Sequence, residues 1–262
     1  MITHTKIKSI IACMIFICFS ITSVMAQDTS KVTYKATAEL VSSYIFRGVL
    51  ATPSPSPNIQ PTIAVDIKKL EIGVWGSTDF GGQYKEADLY GTYTAGPLAI
   101  TLTDYFFSNQ YPNYKSLATP DYTPPGYFEY SSNKTGHIVE GSLAYSGPAK
   151  FPISILVATM FFGNDKKYNF STNSFETNNN YSTYVEVGYQ CKDVVKVFVG
   201  ATPWNGYYGA QYGKIQGFGI VNAGATITRN IKISDKFDLP VRASLITNPQ
   251  AESIHLVFGI TF

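Results

Sequence analysis

What this sequence has little of narrows it first. Its cysteines are Cys13, Cys18 and Cys191, and the first two fall in a segment that reads as a removable leader. One cysteine then remains, which excludes an intramolecular disulfide and a cysteine zinc cluster. Charged residues are 15% of the chain, against roughly 25% in an average soluble domain. No basic excess survives either. Of 20 Lys and Arg, Lys6 and Lys8 lie in the leader, so 20 − 2 = 18 face 18 Asp and Glu. That balance gives nucleic acid no electrostatic footing, and no nucleic-acid partner is expected. Beyond the leader there is no long apolar run, which excludes a bundle of membrane helices. Histidine is scarce too, with His137 and His255 after the leader. No GxSxG, HExxH or phosphate-loop spacing occurs. No cofactor, no metal site and no enzyme activity are expected.

What is abundant is aromatic. There are 19 Tyr and 17 Phe, and aromatic residues make up 15% of the chain. The leader itself has Lys6 and Lys8, an apolar run from Ile10 to Phe19, and small residues at Val24 and Ala26 before Gln27. It is a predicted secretory signal peptide over 1–26, leaving 27–262 as one domain. At the other end, Ile254, Leu256, Phe258, Ile260 and Phe262 alternate with His255, Val257, Gly259 and Thr261. A period of two gives one apolar face. Such a strand left as a bare edge invites aggregation, whereas pairing it with the first strand closes a barrel. An outward apolar face is then covered by lipid.

The stretch between repeats this grammar. Val32–Tyr44 alternates, ended by Arg47-Gly48 and a run of prolines at 53, 55 and 57; Ile59–Ile67 follows, with Pro61 placed near a strand end or bulge. Lys68-Lys69, Gly96-Pro97, Gly147-Pro148, Lys192-Asp193 and Asp235-Lys236 punctuate further strands. Polar stretches over 108–135, 163–180 and 204–216 read as long loops. Twelve antiparallel strands are predicted, with the longer loops after odd strands and tight turns after most even ones. That is the asymmetry of an outer-membrane up-and-down β-barrel, with short periplasmic turns and longer extracellular loops. Two aromatic girdles follow from the parity. Tyr34, Tyr93, Tyr145, Tyr189, Phe237 and Phe262 fall at the periplasmic ends. Tyr44, Phe46, Phe80, Phe106, Phe161 and Tyr181 fall at the loop ends. The expected location is the outer membrane of a Gram-negative bacterium, in contact with its lipids.

Ser43-Tyr44-Ile45-Phe46-Arg47-Gly48, Asn58-Ile59-Gln60-Pro61, Gly73-Val74-Trp75-Gly76-Ser77 and Glu86-Ala87-Asp88-Leu89-Tyr90 together resemble the TorF-type porin group, the Gcw-chp conserved hypothetical outer-membrane proteins. The likeness covers about the first third after the leader, and the proline-rich first loop and Pro61 depart from the pattern. Membership implies an outer-membrane barrel without implying a substrate. A terminal aromatic on an alternating last strand resembles the closing strand of bacterial outer-membrane barrels. It implies a partnership with the barrel-assembly machinery.

The inward face is where chemistry is sought. Parity collects Glu39, Asp66, Glu71, Asp79, Glu86, Asp88, Glu140 and Glu186 against Lys35, Arg47, Lys68, Lys196 and Arg242. Glu39, Glu140, Glu186 and Arg242 fall near mid-depth, with a pairing of Arg242 and Glu186 across the lumen as one arrangement. A carboxylate excess biases a pore toward cations; equally, these groups pair and fill a narrow barrel. Arg47 reads as a constriction or loop tether, or as a rim salt bridge. Trp75 and Tyr90 read as a stacking surface or as filling. The candidate pore-lining set is therefore Glu39, Arg47, Trp75, Tyr90, Glu140, Glu186 and Arg242. As catalytic bases His137 and His255 have no Ser–His–acid set to join. Glu86 and Asp88 have the residue types of an acid–base pair but read as lumen charges. Small polar or cationic solutes are the expected cargo. The rival is a closed barrel that binds through loop aromatics at Tyr111, Tyr114, Tyr122, Tyr127, Phe128, Tyr130, Tyr207, Tyr208 and Tyr212; equally, these loops fold over the mouth.

Overall fold

The computed structural model describes residues 32–52, 54–108, 126–132, 134–169, 171–172, 174–204, 206–208, 217–235 and 237–262. The expected signal peptide lies outside them. The strands are β1 (Val32–Val41), β2 (Ile45–Phe46), β3 (Val49–Leu50), β4 (Asn58–Ile67), β5 (Leu70–Asp79), β6 (Lys85–Ala95), β7 (Leu98–Phe107) and β8 (His137–Ser146). After them come β9 (Ile153–Gly163), β10 (Lys166–Asn169), β11 (Ser174–Asn179), β12 (Thr183–Cys191), β13 (Val195–Thr202), β14 (Gly219–Ser234), β15 (Phe237–Asn248) and β16 (Ser253–Thr261).

Twelve of them close into one antiparallel barrel, in the order β1, β16, β15, β14, β13, β12, β9, β8, β7, β6, β5, β4. The twelve match the predicted count. The closing seam pairs Glu39, Leu40 and Val41 of β1 with Thr261, Ile260 and Gly259 of β16. It is shorter than the other ladders, and meets only the far end of β1, because a closed barrel staggers its strands by a fixed shear. Reciprocal backbone bonds between Ala38 and Phe262, at 3.2 and 2.9 Å, extend it by one step. Connections alternate as expected. Residues 42–57, 108–136, 164–182 and 203–218 link strands at one end, while 68–69, 96–97, 192–194 and 235–236 turn tightly at the other. Pro61 pairs with Ala38 of β1, and the ladder to β5 skips Gln60 and Pro61, where the missing donor does no harm.

Alternation sorts the side chains by face. Ile63, Ile72, Leu89, Ile100, Leu245 and Leu256 stand exposed on the outer wall. Asn58, Ser77, Asp79, Glu86, Asp88 and Glu140 are buried on the inner one. At the tight-turn end Tyr34, Tyr93, Tyr189, Phe237 and Phe262 are exposed and Tyr145 half-exposed, so the predicted girdle there is present. At the loop end Phe80, Phe161 and Tyr181 are exposed as expected.

Three residues of the expected loop-end girdle are not exposed. β1 stops at Val41 and the chain bends at Ser42–Ser43, so Tyr44 and Phe46 leave the wall and pack inside the barrel. Phe106 keeps its outward parity but is covered by Tyr127 and His137, with ring centroids 5.1 and 4.7 Å away. The interior decides the first two. An apolar core cluster fills the loop-side half of the lumen, joining Val49, Tyr84, Phe107, Ile138, Met160, Tyr184, Tyr207, Tyr208 and Val221, and Tyr44 and Phe46 dock against it. Burying a ring there gains about 1.5–3 kcal/mol.

Candidate functional site

The first long connection supplies the plug. β2 and β3 form a hairpin joined by Arg47 and Gly48, both at positive φ, 50° and 83°. Two left-handed residues make the turn whose twist suits a two-residue hairpin. A β-carbon on Gly48 would overlap the Val221 carbonyl of β14, so the tip lies hard against the far wall. Asn248 of β15 donates to the Gly48 carbonyl at 3.2 Å.

Arg47 is thereby aimed across the lumen. Its guanidinium forks onto Glu140 of β8, Nη1 to Oε2 at 2.6 Å and Nη2 to Oε1 at 2.8 Å. Nη1 also donates to the Tyr208 hydroxyl, and Tyr105 donates to Glu140 at 3.1 Å. The rings of Phe46, Tyr184 and Tyr208 surround the cation at 4.7, 5.0 and 5.7 Å. With the Glu140 side chain 2% exposed, this is a buried pair with nearly every valence met. Such a pair contributes little net stability, but removing one partner costs about 3–5 kcal/mol. Arg47 is thus a tether inside the mouth and not a rim salt bridge.

A second connection closes over the first. Tyr207 and Tyr208 enter the core from the segment after β13, and the Tyr207 amide donates to the Ser182 hydroxyl at 2.7 Å. Ser182 in turn binds both oxygens of buried Asp165, at 2.5 and 2.8 Å. Burial pushes the Asp165 carboxyl above the usual aspartate range, against the pull of those Ser182 bonds. Of the two readings of the loop aromatics, Tyr207 and Tyr208 follow the one in which the loop folds into the mouth: both are interior residues. Tyr127 is half-buried, Phe128 and Tyr130 are exposed, and Tyr111, Tyr114, Tyr122 and Tyr212 lie outside the described residues.

Below the plug the inner wall is charged and half-open to water. Lys35 bridges Asp66 at 2.9 Å and Glu71 at 2.5 Å. Glu186 pairs with Lys196 at 3.2 Å and accepts from Tyr184 at 2.6 Å and Asn222 at 3.3 Å. Arg242 pairs with Glu39. The pairing of Arg242 with Glu186 is therefore overturned. Gly259 of β16 separates β1 from β15, and a β-carbon there would lie 2.6 Å from Glu39 Oε1 and 3.0 Å from Arg242 Nε. Only glycine lets the two side chains meet over the intervening strand.

Trp75 and Tyr90 border open space. Tyr90 lies over its cross-strand partner Gly73 and donates to Glu71 at 2.8 Å. That posture leaves a cavity of about 290 Å³ under the hairpin, walled by Trp75, Tyr90 and Tyr105 and roofed by Tyr44 and Phe46. Thr62, Asp88 and Thr103 complete its lining.

At the outer rim, His137 has both ring nitrogens committed, Nδ1 to Asp104 at 2.8 Å and Nε2 to the Tyr127 carbonyl at 2.6 Å. Tyr130 stacks on it at 4.1 Å and donates to Asp104 at 3.0 Å. This clamp holds Tyr127 and Tyr130 against the barrel, and its only hint in the sequence is the outward parity of a polar His and Asp near a rim. The hairpin was harder to foresee, since Ile45–Phe46 and Val49–Leu50 are too short to give a period. No three His, Cys, Asp or Glu among the described residues are placed to hold a metal ion. No family model and no curated protein matches the chain.

Proposed function

We propose that this protein is a bacterial outer-membrane barrel with a narrow, cation-preferring conduit for small polar solutes, closed at its loop end by the β2–β3 hairpin. The observation that carries the reading is the Arg47–Glu140 tether, which ties the β2–β3 hairpin to the wall above a charged, half-open lumen. The exposed apolar belt and its aromatic margin support placement in a membrane. Carboxylates outnumber cations along the lower lumen, where Lys35 alone meets two of them. The first of the four segments that resemble the TorF-type porin group, 43–48, contributes Tyr44, Phe46 and Arg47 to the plug.

Conductance of purified protein in planar bilayers tests this. Wild type is expected to open rarely, and Arg47→Ala to raise open probability by about tenfold or more, since stranding Glu140 costs about 3–5 kcal/mol of closure. The reversal potential should shift toward the cation, and less so in Glu39→Gln/Glu186→Gln. Silence from wild type and from folded Arg47→Ala would sink the conduit. It would favour a second reading, a closed barrel that binds through the exposed Phe128, Tyr130, Trp204 and Phe218 at its loop end.

A further inference from the structure

The cavity under the hairpin has a feature that space-filling does not explain. Thr62, Trp75, Asp88 and Tyr105 are successive cross-strand partners on β4, β5, β6 and β7, so their side chains form one row across the inner wall. Tyr90 and Thr103 pair one step toward the turns. Within this row Asp88 is 4% exposed, and its Oδ1 has no hydrogen-bond partner among the described residues. A buried carboxylate oxygen without a partner is costly, and the cost is removed when a cation or donor arrives.

The surroundings say which. No lysine or arginine lines the cavity, and Arg47 is committed to Glu140 and Tyr208. Tyr44 and Trp75 lie 5.5 Å apart, centroid to centroid, at the junction of roof and wall. Electron-rich rings lining a cavity beside a single carboxyl group are a combination that attracts an organic ammonium group. A sugar needs several donors and acceptors at its rim, and two of the lining hydroxyls, those of Tyr90 and Tyr105, are already committed to Glu71 and Glu140. The volume is at the small end of ligand sites.

We propose that this cavity binds a small organic cation carrying a methylated or primary ammonium group, held by the Trp75, Tyr44, Tyr90 and Tyr105 rings and by Asp88. The proposal rests on the closed mouth described above, because Tyr44 and Phe46 of the hairpin form its roof. It does not rest on conduction.

Binding is measured on detergent-solubilised full-length protein, so that a silent bilayer and an empty cavity are separate results. In a Trp204→Phe background, Trp75 fluorescence is followed while tetramethylammonium is added at constant ionic strength. A saturable change is expected with tetramethylammonium and none with tert-butanol, a neutral molecule of similar shape. Asp88→Asn should weaken binding by about tenfold or more, and Asp88→Glu should retain part of it. Thr103→Lys, which brings a competing ammonium into the cavity, should abolish it. The proposal is overturned by an equal response to tert-butanol or to a methyl glucoside. It is overturned equally by an unchanged affinity in Asp88→Asn, or by no saturable response in protein that keeps its compact gel band.

Discussion

Arg47 and Gly48 make a two-residue turn that the far wall leaves no room to alter. Gly48 has φ 83°, and its missing side chain is where the Val221 carbonyl sits. Left-handed backbone costs a residue with a β-carbon about 1–2 kcal/mol, before any clash is counted. Gly48→Ala should therefore undock the hairpin tip and loosen the Arg47 fork without touching Glu140. The expected outcome is a clear fall in the temperature at which the compact, unboiled gel band converts to the extended one. An unshifted conversion would mean that the tip does not rest on β14. Arg47 itself accepts an unfavourable φ of 50°. Two hydrogen bonds to Glu140, one to Tyr208 and three ring faces offset that strain.

Among the elements, the connections do more than join strands. β2–β3 turns a stretch that parity would leave in the wall into the plug of the lumen, and the segment bearing Tyr207 and Tyr208 seals it. A third connection is held outside at Tyr127 and Tyr130 by His137 and Asp104. His137→Ala removes two hydrogen bonds and the stack on Tyr130, worth about 1–3 kcal/mol together. Chymotrypsin should then cut at Tyr127, Phe128 and Tyr130 at least about tenfold faster, with the barrel band unchanged. Equal cutting rates in mutant and wild type would show that the clamp does not hold the segment. The same substitution is not expected to alter conductance, because His137 faces away from the lumen.

For the molecule as a whole, the outer wall decides. Isoleucine, leucine and valine stand exposed around the barrel, while acids and amides are buried inside. Water is a poor solvent for that arrangement and lipid a good one. Cell fractionation should place the protein with the outer membrane, and the purified protein should need detergent and run as a faster, compact band until boiled. Recovery as a soluble protein with no heat-modifiable band would refute the membrane reading.

Much of the barrel was legible along the chain. Period-two alternation depends on neighbours in sequence, and it assigns inner and outer faces strand by strand. Loop lengths likewise announce which strand ends lie together, so twelve strands and their pairing follow from local pattern. Lys35, Asp66 and Glu71 were also placed correctly on the inner face, because their partners come from adjacent strands. What local pattern does not carry is the distance across the lumen. Tyr44 and Phe46 have girdle parity, and only the room inside the closed barrel draws them inward. Glu186 and Arg242 share a face, but the stagger at the closing seam brings Glu39 to Arg242 over Gly259 and leaves Glu186 with Lys196. The first two residues are placed by burial of apolar surface and the Glu39–Arg242 pair by shear, and both exist only once the sheet has closed on itself.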